Sequence, residues 1–298
     1  MEKISFYDQM ARNKRNSILL SLLVFSFLIA LIYTISIILA PEMSILFLVF
    51  AVGIVIVYTY GSYSYGDRIV LAATNAKPVE EDDRRYTHLN DVVDGLSIAA
   101  GIPKPKIYAI ESEEMNAFAT GKNPEHASIA VTTGLLKNLK RDELEGVIGH
   151  ELSHIRNYDI RFATLVAVMV GLIAIISYLL LRSWRYGRSR DREEKGFGLI
   201  ILIGFILAIF APIIVRIVQA AVSRRREFLA DASSVELTRY PDGLANALEK
   251  IMKVNQGNMK VSEAISHLFF TDPNKSPLDS LYATHPDIRE RIRILRAM

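Results

Sequence analysis

The apolar residues of this chain are gathered into long uncharged runs. Residues 18–40 contain no Asp, Glu, Lys or Arg over 23 positions. At about 1.5 Å per helical residue, such a run exceeds the roughly 30 Å hydrocarbon core of a bilayer. Residues 44–60 form a second, shorter uncharged run ending in Tyr58 and Tyr60, aromatic residues of the kind enriched where a helix leaves the membrane. Residues 162–181 and 197–215 are equally free of charge, and Gly204 and Pro212 in the last run are tolerated in membrane helices. The pattern predicts four transmembrane helices. The first run is longer than the apolar part of a signal peptide and no small-x-small site follows it clearly, so it reads as a retained anchor.

The remaining stretches are polar enough to face water and patterned enough to fold. Leu89, Val92, Val93, Leu96 and Ala99 fall at helical spacing, predicting a helix over 86–100 closed by Gly101-Ile102-Pro103. Two short apolar runs, Lys106 to Ile110 and Ala127 to Thr132, flank Met115 to Gly121 and the turn-prone Lys122-Asn123-Pro124, which predicts a small sheet of about three strands. After residue 219 the pattern is helical, with one helix to about 238 and others beyond Pro241. The fold class expected is therefore an α+β membrane protein, mostly helical, with a small β-sheet, on four transmembrane helices. Its parts are a tail over 1–16, a transmembrane hairpin over 17–61, a water-facing half over 66–160, two further spans over 161–218 and a second water-facing half over 219–298.

Composition sharpens this picture. A hydrophobic content of 51% and a mean hydropathy of +0.23 exceed those of an ordinary soluble domain. The absence of cysteine excludes disulfides, thiolate metal sites and cysteine nucleophiles together. A net charge of +3 leaves no footprint for nucleic acid. Lys3, Arg12, Lys14 and Arg15 precede the first run and no Lys or Arg lies in Pro41-Glu42-Met43, so the positive-inside rule places the tail and the water-facing halves in the cytoplasm, on a cell membrane crossed several times. The loop 182–196, with Arg182, Arg185, Arg188, Arg190, Arg192 and Lys195, runs against that rule. Either it is an exception or the last two runs form a hairpin that does not cross.

Candidate chemistry enters at His150-Glu151-Leu152-Ser153-His154. Residues four apart share a helix face, so both imidazoles can reach one tetrahedral ion with Glu151 beside it as general base. Asp142 and Glu143 suit the first turn of that helix, and Leu144, Val147, Ile148, Leu152 and Ile155 give it an apolar stripe. Gly146 and Gly149 weaken it unless another element packs closely there. A hydrolytic zinc site takes three protein ligands. Position 160 is Ile160, so no third histidine stands at the H-x-x-G-x-x-H spacing. Glu227 and Asp231, four apart, offer a ligand and an acceptor for a ligand's far ring nitrogen. By spacing alone they are equally an exposed carboxylate pair neutralised by Arg224, Arg225 and Arg226. Arg156 and Asp159 stand where they can orient the motif helix or its ligands. His88, His126 and His267 have no partner at ligand spacing and read as surface or structural residues.

The order of these features resembles the HtpX heat-shock membrane proteases, relatives of the CAAX prenyl proteases. The resemblance runs through the amino-terminal spans, Asn116-Ala117-Phe118-Ala119-Thr120-Gly121, the His150 motif, two further spans, Arg225-Arg226-Glu227-Phe228-Leu229-Ala230-Asp231 and Thr284 to Ile292, which together cover nearly the whole chain. It implies a gluzincin-like domain with one zinc ion per chain on His150, His154 and Glu227, Asp231 supporting a ligand, and Glu151 as catalytic base. It also implies that Asn116, Ala117 and Phe118 lie on an edge strand pairing with substrate backbone, and that His285 and Arg291 lie near the tetrahedral intermediate. The expected partners are unfolded or damaged membrane proteins and the lipid bilayer, with no nucleic acid. A prenyl-protein protease, or a scaffold with structural zinc, stands as the alternative; Glu151 discriminates against the scaffold, which has no use for a carboxylate beside the metal.

Overall fold

The computed structural model describes residues 41–168, 224–274 and 286–298, with isolated helical positions between 15 and 33 and at 171. The run 197–215, the loop 182–196 and His285 lie outside the described residues, as do the tail apart from Arg15 and most of the runs 18–40 and 162–181.

Helix α1 (Ser44–Ala73) continues well past Tyr60, where the uncharged run ends. It bends by 45° between Ser44–Tyr58 and Tyr60–Ala73. Among the described residues no single straight helix is long and apolar enough to cross a membrane, whereas these two halves together are. Ile45, Val49, Phe50, Ile54 and Val57 in the first half are exposed, while Val70 and Leu71 near the end are buried. One helix thus joins an apolar outer surface to the folded core.

Four strands follow: β1 (Lys77–Pro78), β2 (Lys106–Ile110), β3 (Ala117–Gly121) and β4 (Ala127–Thr132), in the order β1-β2-β4-β3. The β2/β4 pair is parallel and the β1/β2 and β3/β4 pairs are antiparallel. The first strand, two residues long, is too short to leave a sequence pattern. Side chains alternate across the sheet as the period of two requires. Ile107, Ala117, Ala119, Ile129 and Val131 enter one core with the helices, while Ile110, Phe118 and Ala130 enter a second with Val70, Leu71 and Phe269.

Helix α2 (Thr87–Ala100) ends at Gly101, at φ +67°, where the Gly101 and Ile102 N–H groups donate to Ile98 and Ser97. That is the left-handed closure for which glycine is favoured. Helices α3 (Thr133–Asn138) and α4 (Arg141–Arg156) come next. The α4 amino terminus is held by Glu143, whose Oε2 accepts from the Lys140 N–H at 2.7 Å and from Lys250 at 2.6 Å. The chain turns through Tyr158, at φ +59°, into a helical stretch over 159–168. The described carboxy-terminal part supplies α5 (Arg224–Thr238), α6 (Pro241–Val254), α7 (Glu263–Ser266) and α8 (Ile288–Leu295).

Helix α4 is central, packed against α2, α5, α6 and β3. Its glycines explain the closeness. A Cβ on Gly146 would lie 2.6 Å from the Leu244 backbone nitrogen, and one on Gly149 would lie 2.9 Å from Ser234 Oγ. Ser234 Oγ donates to the Gly146 carbonyl at 2.6 Å. The two residues that weaken α4 as an isolated helix are therefore the ones that admit α5 and α6 to its backbone.

Candidate metal centre

His150 and His154 lie one turn apart on α4, and their Nε2 atoms are 3.1 Å from each other. Helix α5 presents Glu227, Asp231 and Ser234 from one stripe, all buried. Glu227 oxygens reach to 3.5 Å from His150 Nε2 and 3.8 Å from His154 Nε2. Ligand atoms of the three residues lie within 4.8 Å of one another. Two imidazole nitrogens and a carboxylate, turned toward one point in a chain without cysteine, form a donor set that fits zinc.

Asp231 stands behind this group. Its Oδ1 lies 2.9 Å from His150 Nδ1, and Arg291 from α8 grips it with Nε at 2.8 Å and Nη2 at 2.6 Å. Burial opposes the Asp231 charge, but Arg291 and the bond to His150 overcome it and hold the carboxyl down at about 2. Arg291 is 1% exposed, stacks over Phe270 at 4.8 Å, and is itself held charged against burial by Asp231. The Arg291 guanidinium thus lies against Asp231 and the Nδ1 side of the His150 ring, 3.4 Å from that nitrogen.

Glu151 is buried beside the donors. Burial raises its pKa; the two histidines and the backbone N–H of Ala119 on β3 work in the opposite direction, and Glu227 adds to the rise. A small cavity of about 40 Å³ opens here, lined by Ala119, His150, Glu151, His154, Arg226 and Glu227 among others.

Strand β3 is an edge strand of the sheet. Asn116, Ala117 and Phe118 are fully buried, and the chain itself occupies their outer side. Phe270 N–H donates to the Ala117 carbonyl at 2.8 Å, Phe118 bridges Phe269, and the Asn116 amide clasps Thr271 through both its ends, at 2.9 and 3.1 Å. In this structure the three residues anchor residues 269–271.

Two further residues border the site, His267, which the sequence offered only as a surface or structural histidine, and Phe270, which it did not single out. His267 is 5% exposed, lines the cavity and has its Nε2 3.2 Å from the Ala163 carbonyl oxygen; Phe270 packs edge-on against His150 at 4.9 Å. Neither stands at a spacing from the motif that local patterning reads. His88 and His126 are exposed, as expected.

A helix-borne His-Glu-x-x-His with a glutamate from a second helix defines the class, that of the metallopeptidases. The chain belongs to peptidase family M48, which it matches over residues 83–298. It is similar to the protease HtpX homologue of Thermoanaerobacter pseudethanolicus, at 46% identity over 82% of each chain. The homologue of Dictyoglomus turgidum is 43% identical over 100% of this chain and 96% of its own, and that of Streptococcus uberis 41% over 98% and 99%. In fold it is similar to a crystal structure of S. mikatae Ste24p, with a TM-score of 0.50 at 20% identity over 97% of this chain and 67% of the other.

Proposed function

We propose that this protein is an integral-membrane, zinc-dependent endopeptidase that hydrolyses misfolded or damaged membrane proteins on the cytoplasmic side. The observation that carries the reading is the convergence of His150, His154 and Glu227 beside buried Glu151 in an open cavity. Among the described residues the group stops at three donors, the number a hydrolytic zinc site uses. When bound, zinc supplies Lewis-acid chemistry, acidifying water and polarising a peptide carbonyl. Glu151 accepts the proton of the attacking water and returns it to the departing amine. Its burial favours the protonated form, so it holds that proton more readily than a solvated carboxylate. His150 is kept in place by Asp231, which fixes the ring with Nε2 toward the donors.

Membrane anchorage rests on the uncharged runs and on α1, whose exposed Ile45, Val49, Phe50, Ile54 and Val57 suit lipid rather than water. The quality-control role rests on the similarity to HtpX homologues. The test is cleavage of an unfolded casein-like substrate by detergent-purified protein, wild type against Glu151→Gln, with bound zinc measured in both. Zinc in both and activity only in the wild type supports the reading. Equal activity in both, or no zinc in either, retires it.

A further inference from the structure

The second ligand histidine has a support of its own in Asp159, which lies outside both motifs. His154 Nδ1 lies 3.0 Å from Asp159 Oδ2, and Asp159 Oδ1 lies 3.6 Å from Arg226 Nη1. The carboxylate and guanidinium side chains are only 8% and 12% exposed. On an unbroken helix residue 159 would stand about 140° around the axis from residue 154, out of reach. The turn prevents this. Tyr158, at φ +59°, sends its N–H back to the Ile155 carbonyl at 3.1 Å and restarts the chain, so that Asp159 comes back beneath the His154 ring. A left-handed conformation is costly for a bulky aromatic residue and persists only where the surroundings impose it.

The arrangement parallels the one at His150, where Asp231 accepts from the ring and Arg291 neutralises the acceptor. Arg226 comes from α5, adjacent to Glu227, and its guanidinium also lies over the Phe162 ring at 5.3 Å. Each histidine is thus followed by a carboxylate and an arginine, and each chain links α4 to α5. An arginine beside a buried carboxylate offsets part of the cost of burying it.

We infer that Asp159 is the positioning residue for His154, holding its Nδ1–H so that Nε2 faces the metal, with Arg226 holding Asp159. This rests on the zinc reading of the site above. A carboxylate behind a ligand imidazole fixes its tautomer and orientation and raises its basicity, and losing one typically weakens metal affinity about 10- to 100-fold.

The experiment uses the full chain in detergent. Zinc affinity is measured by competition with a chromogenic chelator, and the cobalt-substituted protein gives a d–d absorption spectrum that reports the geometry at the ion. Asp159→Asn, which keeps the side-chain shape, is expected to lose about 10- to 100-fold in zinc affinity and to alter the cobalt spectrum. A role confined to holding the turn would move neither quantity in the folded protein. Arg226→Gln serves as second variant should Asp159→Asn fail to fold; it leaves the Asp159–His154 contact and is expected to weaken zinc binding less. Wild-type affinity and an unchanged cobalt spectrum in the folded variants overturn the inference. No zinc uptake by the wild type instead overturns the site reading on which it stands.

Discussion

His150 and Asp231 are 81 positions apart in the chain, yet their side chains meet at 2.9 Å with both residues 1% exposed. The contact orients a ligand, and it also buries a carboxylate whose charge Arg291 offsets through two hydrogen bonds. Arg291→Met is therefore expected to act on the folded protein and its metal before it acts on any transition state. Removing one partner of a buried ion pair costs about 3–5 kcal/mol. Chemical denaturation should show that loss in Arg291→Met and partial recovery in Asp231→Asn/Arg291→Met, where no lone charge remains. A variant of normal stability and normal zinc content that had lost only turnover would return Arg291 to the reacting carbonyl.

Zinc uptake should release a proton from His154. Burial disfavours its imidazolium, but the bond to Asp159 and the charges of Glu227 and Glu151 prevail and raise its pKa from 6.5 to about 9. A pKa raised on folding stabilises the metal-free protein fully below 6.5, and the benefit is lost as pH climbs through about 9. Zinc takes only the neutral ring, so its apparent affinity rises across that same window. Calorimetric titrations in buffers of different ionisation enthalpy should count about one proton released from this residue near neutral pH and none well above pH 9. A count that does not vary with pH would contradict the assignment.

Two glycines in helices should respond to alanine with opposite signs. Around Gly95 in α2 a Cβ would meet nothing within 4 Å, so Gly95→Ala should stabilise by about 0.5–1 kcal/mol through helix propensity. At Gly146 the same propensity gain meets Leu244 backbone at 2.6 and 2.7 Å, which cannot yield as a side-chain tip can. Overpacking of this kind costs about 1–3 kcal/mol, so the clash prevails and Gly146→Ala should lower the denaturation midpoint. Equal stabilisation at both positions would mean that α4 and α6 are less tightly apposed than the structure shows.

These cases show which kinds of information the sequence carried. The His150 to His154 spacing was legible because one helical turn brings the two rings together without help from the rest of the fold. Strands β2 and β4 were legible as apolar runs between turn residues, and Gly101 as a helix stop. Glu227 was ambiguous by spacing, since a carboxylate among arginines looks the same exposed or buried; its place beside the histidines is set by α5 packing on Gly146 and Gly149. Asp159 needed the left-handed turn at Tyr158, and His267 and Phe270 needed the chain to return to β3, both tertiary events that leave no periodic trace.

The return of residues 269–271 to β3 gives Asn116 a role that can be separated from substrate binding. Its Oδ1 accepts from the Ala117 and Thr271 N–H groups, and its Nδ2 donates to the Thr271 carbonyl, all inside the protein. Asn116→Ala removes partners from three backbone groups, and each buried group left unsatisfied costs about 1–3 kcal/mol. The penalty should fall locally, because Asn255 and the Phe269 and Phe270 rings still hold the neighbouring chain. Hydrogen exchange should then show the Thr271 and Phe270 amides opening faster in the variant, with the Val131 and Ile129 amides of β4 little changed. The comparison is made without substrate, so a residue that served only to bind substrate would leave the exchange of Thr271 as it is in the wild type.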